Sequence, residues 1–238
     1  MRKALLSALG ACAVALVVTA PLASASMQPN IIGGHDASET YSFYVSLDNG
    51  CGGSLVAPQW IVTADHCGGA AQGRIGSINR NSGGEMGRID HRITKPGTDL
   101  TLMHLSSPAR STPVRMAQQN PEPGTTIRLM GLGCEVWPNC HQPMVVQEID
   151  LQIIPSDSCR EGGGGPGDIC IAGSAGHTAC HGDSGGPGVV GSPGDWTLVG
   201  ETHGPGDNGP DCAGLDLYTG IAQHRAWIDQ QIGQQPSS

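Results

Sequence analysis

Short apolar runs separated by turn residues recur along most of the chain. Glycine, proline, asparagine and aspartate separate these runs, as in the Asp48-Asn49-Gly50 turn. The runs that are typical of β-strands occupy residues 43–47, 53–56, 60–63, 100–103, 126–130, 145–154 and 196–199. Short strands at this spacing predict a β-barrel or a β-sandwich. Apolar residues at helical spacing follow over residues 221–232, so we expect the chain to end in a packed helix.

The composition fits an all-β protein and excludes other classes. The chain has 238 residues, with 37 glycines and 17 prolines for its turns. Only 14% of the residues are charged and 38% are hydrophobic, which argues against disorder. The glycines have no G-X-Y period, so a collagen-like fibre is excluded. The length allows one large or two small domains, and the polar, proline-rich residues 117–124 are the best candidate for a linker between halves.

The first residues have the pattern of an export signal. Arg2 and Lys3 precede a long apolar run, which ends at Ala23-Ser24-Ala25. A positive start, an apolar centre and an A-x-A end predict a signal peptide over residues 1–25 and a secreted, extracellular protein. A transmembrane anchor is the alternative, because the run approaches spanning length. Pro21 and the small residues at the end of the run favour cleavage.

Removal of the signal peptide leaves an even number of cysteines. They are Cys51, Cys67, Cys134, Cys140, Cys159, Cys170, Cys180 and Cys212. Thiols oxidise in the compartment that the signal implies, so these residues predict a disulfide framework, for which 105 pairings are possible. A zinc site around the segment HTACH at residues 177–181 is a weaker interpretation, because the chain has no C-x-x-C pair.

Three segments carry residues suited to nucleophilic catalysis. They are VTADHC at residues 62–67, GTDLTL at residues 97–102 and CHGDSGGP at residues 180–187. A serine hydroxyl needs a base to take its proton, and histidine has the appropriate pKa. The imidazole needs a carboxylate that fixes its tautomer, and a tetrahedral intermediate needs backbone N–H donors, which explains glycines beside the serine.

These segments resemble the chymotrypsin/trypsin-type serine endopeptidases, from Ile31-Ile32-Gly33-Gly34 to the terminal helix. The resemblance implies that His66 is the general base, Asp99 its orienting carboxylate and Ser184 the nucleophile. It implies an oxyanion hole formed by the backbone N–H groups of Gly182 and Ser184. The order His, Asp, Ser along the chain fits this family and differs from the order in subtilisins and α/β-hydrolases.

The fold and the disulfides that the resemblance implies are specific. It implies two packed antiparallel six-stranded β-barrels, the first over about residues 31–120 and the second over about residues 121–220, with a terminal helix over about residues 221–233. It pairs Cys51 with Cys67, Cys159 with Cys170 and Cys180 with Cys212. Cys134 and Cys140 are left and are expected to pair locally. Short loops of this kind restrict the unfolded chain less than long ones.

The resemblance also implies activation by proteolysis. Cleavage after Asn30 would remove a short pro-segment, residues 26–30, and the new amine of Ile31 would pair with the carboxylate of Asp183. A buried carboxylate without a partner would be costly. Because Asn30 is not basic, a trypsin-like maturation protease is not expected. The alanine-rich signal and the very short pro-segment resemble those of bacterial members of the family.

Three segments are expected to form the pocket that binds the substrate residue before the scissile bond. By resemblance its base is Thr178, where trypsins have aspartate, and one wall is Thr202-His203-Gly204. The other wall would carry Asp216, two residues before a tyrosine. Asp216 either attracts lysine and arginine or broadens the preference, as in similar crustacean collagenolytic enzymes. Alternatively, the short loop before it is misaligned and Asp216 faces solvent.

The expected partners are protein or peptide substrates and an unidentified maturation protease. A net charge of −9 with 12 basic residues argues against binding of nucleic acid or of an anionic membrane. We expect a monomer that needs no cofactor. We also expect no required metal, because the calcium-loop carboxylates of the family have no clear counterpart between Gly68 and Lys95, where Glu85 and Asp90 are the only acidic residues. The alternative function is a catalytically weak or inactive binding module on the same fold.

Asp65 stands where the family has a small residue, directly before the base. Its carboxylate either raises the pKa of His66 or points to solvent.

Overall fold

The first half of the chain forms a closed barrel. The computed structural model describes residues 31–233. In this range the strands of the first barrel follow the order β2 (Tyr44–Leu47), β3 (Gly52–Ala57), β4 (Trp60–Thr63), β7 (Thr101–Leu105), β6 (Glu85–Thr94) and β5 (Gln72–Ile75). All neighbouring strands are antiparallel, and β5 pairs with β2 to close the ring.

The second half forms another ring of six antiparallel strands. Their order is β9 (Thr126–Gly131), β10 (Gln147–Ile154), β11 (Ile169–Ile171), β14 (Asp216–Gly220), β13 (Asp195–Pro205) and β12 (Pro187–Ser192). Pairing of β12 with β9 closes this ring. The chain then continues directly into helix α1 (Ile221–Gly233). The prediction of two six-stranded antiparallel barrels with a terminal helix is confirmed.

Two short strands lie outside the rings, and both pack on the second barrel. Strand β1 (His35–Asp36) pairs antiparallel with β10, and strand β8 (Arg115–Met116) pairs parallel with β13. Both come from the part of the sequence expected to build the first barrel. Ile31, just before β1, is buried in the apolar cluster of the second barrel. The start of the described chain is therefore anchored to the barrel that carries Ser184.

One apolar cluster joins the two barrels and the helix. Leu55 and Leu102 of the first barrel are completely buried in it, together with Leu198 of the second barrel and Ile228 of the helix. Complete burial of such a side chain stabilises the fold by roughly 1.5–3 kcal/mol relative to an exposed one. The shared cluster fixes the position of one barrel against the other. Residues at the junction are therefore held in a defined geometry.

All eight cysteines of residues 31–233 are joined in disulfides. The pairs are Cys51–Cys67, Cys134–Cys140, Cys159–Cys170 and Cys180–Cys212. These are the pairs that the resemblance implies. Because Cys180 is in a disulfide, it has no thiolate for a metal, and the zinc interpretation of residues 177–181 loses its sulfur ligand.

The signal peptide predicted over residues 1–25 and the pro-segment predicted over residues 26–30 lie outside the described residues. Between Ile31 and Gly233 no helix is both long and apolar enough to cross a membrane.

Candidate active site

Two paired strands of the first barrel place His66 beside Asp99. Strand β4 ends at Thr63 and leads into a single 3-10 turn, Asp65–Cys67, which carries His66. Asp99 lies two residues before β7, and Thr63 is directly opposite Thr101 in the β4–β7 pair. The end of one strand therefore meets the beginning of the other. The Cys51–Cys67 disulfide ties this turn to the loop before β3.

The carboxylate of Asp99 accepts two hydrogen bonds from His66. Nδ1 of the imidazole lies 2.7 Å from Oδ2, and the backbone N–H of His66 donates to Oδ1 at 2.9 Å. Because Nδ1 holds a proton for this bond, Nε2 of the neutral ring carries a lone pair. No residue in the described chain bonds to Nε2. The orientation of the imidazole is thus fixed by Asp99, and its accepting nitrogen is free.

The same contacts shift the pKa values of both groups. The hydrogen bond to Asp99 raises the pKa of His66 against the opposing effect of burial, and the charges of Asp99 and Asp65 raise it further. Burial alone would raise the pKa of Asp99, but the two hydrogen bonds from His66 outweigh it and hold that pKa below its usual value. Asp99 therefore stays ionised when His66 takes up a proton.

Ser184 lies in the turn that precedes β12 of the second barrel. Its carbonyl accepts the N–H of Gly52, which ties the turn to the first barrel at 2.8 Å. Within residues 31–233 its hydroxyl has no hydrogen-bond partner, and the structure does not join it to His66. Ser184 lines one cavity and His66 the next, and His203 lines both. In free enzymes the bond between nucleophile and base is often long.

Two backbone N–H groups beside Ser184 are available to an anion. Gly182 has φ +95°, a conformation that glycine adopts without strain. A Cβ atom there would lie 2.6 Å from Nε2 of Gln142. Neither Gly182 N–H nor Ser184 N–H reaches an acceptor among the residues that the structure describes.

The carboxylate of Asp183 is buried behind this turn. It accepts the N–H of Gly133 at 2.8 Å and the N–H of Cys180 at 2.9 Å, and the residue is 1% exposed. Cβ atoms at Gly131 and Gly133 would lie 1.9 Å and 2.4 Å from its oxygens, which explains the glycines in this segment. Burial raises the pKa of Asp183 to about 6, although the two N–H groups oppose the shift. A nearby cation would favour the ionised form.

A cavity of about 150 Å³ extends from Ser184 into the second barrel. The residues predicted to form the specificity pocket, namely Thr178, Thr202, His203, Gly204 and Asp216, all line it. Asp216 is 3% exposed, so it does not face solvent. Its oxygens accept the hydroxyl of Thr178 at 2.8 Å and the N–H of Ala179 at 3.3 Å. Burial raises the pKa of Asp216 to about 7 against these hydrogen bonds.

Comparison with known proteins agrees with this architecture. The sequence model of the trypsin family matches residues 31–228. The chain belongs to the trypsin family. It is 29% identical to human Kallikrein-14, with 85% of this chain and 84% of that protein covered. It is 30% identical to Serine protease 1 of Rattus norvegicus, with 85% of this chain and 89% of that protein covered. It is 28% identical to Trypsin of Sarcophaga bullata, with 84% of this chain and 88% of that protein covered.

Membership makes this chain a serine-type endopeptidase, a hydrolase that acts on proteins or peptides. These three relatives are animal proteins, so they lend no support to the bacterial source that the signal and pro-segment suggest. The four disulfides fit an extracellular protein.

The sequence did not predict a second imidazole beside Asp99 in this trypsin-family chain. Strand β13 changes register between Thr202 and Gly204 where it pairs with β14. This irregularity lies at His203, whose Nε2 lies 3.8 Å from Oδ2 of Asp99. Thr202 donates its hydroxyl to the carbonyl of Gly186 at 3.0 Å. No local pattern in the sequence marks where this strand pairing shifts.

Asp65 does not simply point to solvent. Its Oδ1 accepts the hydroxyl of Thr94 at 2.7 Å and the hydroxyl of Thr101 at 2.8 Å. These two threonines face each other across strands β6 and β7. The carboxylate is therefore held in place one residue before His66.

Proposed function

We propose that this protein is a secreted endopeptidase that hydrolyses peptide bonds through Ser184, His66 and Asp99. The observation that carries the proposal is the doubly hydrogen-bonded His66–Asp99 pair, which leaves Nε2 of His66 free. His66 lines the cavity next to the one lined by Ser184, and His203 lines both cavities. Asp99 holds the imidazole of His66 at Nδ1, and Nε2 has no partner within residues 31–233. This imidazole has the geometry needed to take a proton from a hydroxyl.

The reaction would pass through an acyl-enzyme. Ser184 Oγ attacks the carbonyl carbon of the scissile bond while His66 Nε2 takes its proton. Asp99 stabilises the resulting imidazolium, as its lowered pKa requires. His66 then gives the proton to the leaving amine, and a water molecule, deprotonated by the same nitrogen, releases the acyl group from Ser184.

The tetrahedral intermediates carry a negative oxygen. The N–H groups of Gly182 and Ser184 are free to donate to it, since neither is bonded within residues 31–233. Removal of one such donor in related chemistry costs roughly 10²–10³ in kcat. Backbone donors of this kind need no reorganisation when the charge develops.

An inactive binding module on the same fold is the second candidate. A module of this kind needs neither a fixed imidazole nor free N–H donors beside a serine. The combination of both in one chain favours catalysis. Hydrolysis of a denatured protein by the processed chain tests the choice: appearance of new amino termini supports the endopeptidase, and binding without cleavage supports the module.

We expect activity to require cleavage before Ile31. The new amine would enter the second barrel, where Ile31 is 1% exposed, and would pair with Asp183. A cation there lowers the pKa of Asp183 from about 6 and favours the ionised, fully bonded carboxylate. N-terminal sequencing of active enzyme is expected to give a start at Ile31. A fully active chain that begins at Ser26 would contradict the proposal.

The maturation protease would cut after asparagine, and the enzyme would act outside the cell. These two points rest on the sequence of the pro-segment and of the signal. We also expect the enzyme to be a monomer.

Replacement of Asp65 by asparagine is expected to lower the pKa of His66. Its negative charge is one of the causes that raise that pKa, and asparagine retains a hydrogen-bond acceptor for Thr94 and Thr101. Because the base must be neutral, the acid limb of the profile of kcat/KM against pH moves to lower pH. The shift is a fraction of a pH unit, whereas the control Asp229→Asn, on the exposed face of α1, leaves the limb in place. An unchanged acid limb in Asp65→Asn would show that its charge does not reach the base.

A further inference from the structure

A β-bulge in the first barrel brings two histidines onto one aspartate. Strand β6 pairs with β7 so that Ile89 faces Leu105 and His91 faces His104, which leaves Asp90 as the extra residue. Neighbouring residues of a regular strand point to opposite faces, and a bulge turns one of them. Asp90 and His91 therefore both reach His104.

The three side chains converge on one point. Oδ1 of Asp90 lies 2.9 Å from Nδ1 of His91 and 2.7 Å from Nδ1 of His104. One potential ligand atom from each residue lies within 4.8 Å of the other two, and within residues 31–233 no other such group of three is found. The cluster is separate from the His66–Asp99 pair.

The surroundings hold the rings in place. The two imidazoles stack with centroids 4.6 Å apart, and the ring of Trp60 lies edge-on to both, at 5.6 Å from His91 and 4.8 Å from His104. The side chain of His104 is 11% exposed, whereas those of His91 and Asp90 are 37% and 41% exposed. One ligand is thus fixed in the barrel and the other two face solvent, from which an ion can enter.

We propose that Asp90, His91 and His104 bind a divalent transition-metal ion, with Zn²⁺ the best fit. Two imidazoles and a carboxylate are ligands that zinc commonly has, and water fills the fourth position. Each neutral imidazole would keep its proton on Nε2 and turn the Nδ1 lone pair to the metal. The ion then replaces the two hydrogen bonds to Asp90, with no oxidation or reduction.

The ion would stabilise the folded first barrel and take no part in hydrolysis. His104 is opposite Trp60 at the start of β4, whereas His66 follows the other end of that strand. Thr63 is three positions after Trp60 along the strand, a distance of about 10 Å. Binding to the folded state alone raises the unfolding temperature.

Calorimetric titration of Zn²⁺ into the folded chain tests the site. All proteins carry His66→Ala so that the active-site imidazole does not compete. One Zn²⁺ per chain is expected, with a rise in Tm of about 5–10 °C at 100 times Kd. Asp90→Asn is expected to weaken binding about 10-fold and His91→Asn about 100-fold. The matched control is His35→Asn, which removes an imidazole that is 65% exposed and lies outside the cluster.

Co²⁺ gives a second readout, because its absorption spectrum reports the coordination geometry. Absence of binding at 1 mM of either ion would overturn the proposal. So would Zn²⁺ affinity that stays the same in both Asp90→Asn and His91→Asn. Far-UV circular dichroism of each variant establishes that it is folded, and neither outcome bears on the endopeptidase activity.

Discussion

Replacement of Ser184 by alanine is expected to lower kcat for peptide hydrolysis by a factor of about 10⁴–10⁶. The hydroxyl is the only proposed nucleophile, and water attacking directly would have to replace it. The oxyanion donors and the His66–Asp99 pair remain, so a small residual rate is expected. The measurement is kcat and KM for a peptide substrate with the chain processed to begin at Ile31.

Ser158→Ala is the matched control, because Ser158 is exposed in a 3-10 turn and does not line the cavity. It is expected to leave kcat within about twofold of the unchanged enzyme. A Ser184→Ala variant that keeps a tenth or more of the activity would mean that another group attacks the substrate.

Replacement of Asp216 by asparagine is expected to lower kcat/KM for substrates with lysine or arginine before the scissile bond by a factor of about 10²–10³. The carboxylate lies at 3% exposure in the cavity beside Ser184, and loss of one partner of a buried charge pair costs roughly 2–5 kcal/mol. Substrates with leucine at this position are expected to change little. Asp211→Asn is the control, since its carboxylate lines the same cavity but is 57% exposed.

The same residue predicts a pH-dependent preference. Burial raises the pKa of Asp216 to about 7, so its charge, and with it the attraction for a basic residue, is lost as the pH falls through 7. The ratio of kcat/KM for arginine over leucine substrates is expected to fall about tenfold between pH 8 and pH 6. Protonation of His66 lowers kcat/KM for both substrates by the same factor, so its effect cancels in this ratio. A flat ratio, together with an unchanged Asp216→Asn variant, would favour a broad preference that does not use this charge.

Strands with continuous apolar runs could be predicted closely from the sequence. Trp60–Thr63 is observed as expected, and the helix Ile221–Gly233 begins where the periodicity does. The ten-residue strand Glu85–Thr94 was not expected. Its residues alternate between half-buried and exposed positions, and only Ile89 and Ile93 are strongly apolar on the inner side. Its neighbours in the barrel, and not its own pattern, make it a strand.

Some residues of the candidate site could likewise be predicted from the sequence, and other features of the site could not. The residues His66, Asp99 and Ser184 lie in motifs that could be found in the sequence, because each motif carries its own turn or strand end. The approach of His203 to Asp99 and the anchoring of Asp65 depend on how distant strands pair. Bulges shift that pairing by one residue, and no local pattern in this chain marks them.

The cluster of Asp90, His91 and His104 shows the same limit. The sequence favoured no metal because it lacks the carboxylates of the family's calcium loop. The imidazole of His104 stands 13 positions from that of His91, and only the bulged pairing of β6 with β7 places them together.

Reaction with a fluorophosphonate tests the central claim most directly, since the reagent phosphonylates only a serine that a neighbouring base activates. The processed chain is expected to gain one adduct, located on Ser184 by peptide mass spectrometry, and His66→Ala is expected to abolish labelling. Absence of an adduct on the folded, processed chain, or an adduct on another residue, would contradict the assignment of Ser184 as nucleophile and favour the binding module.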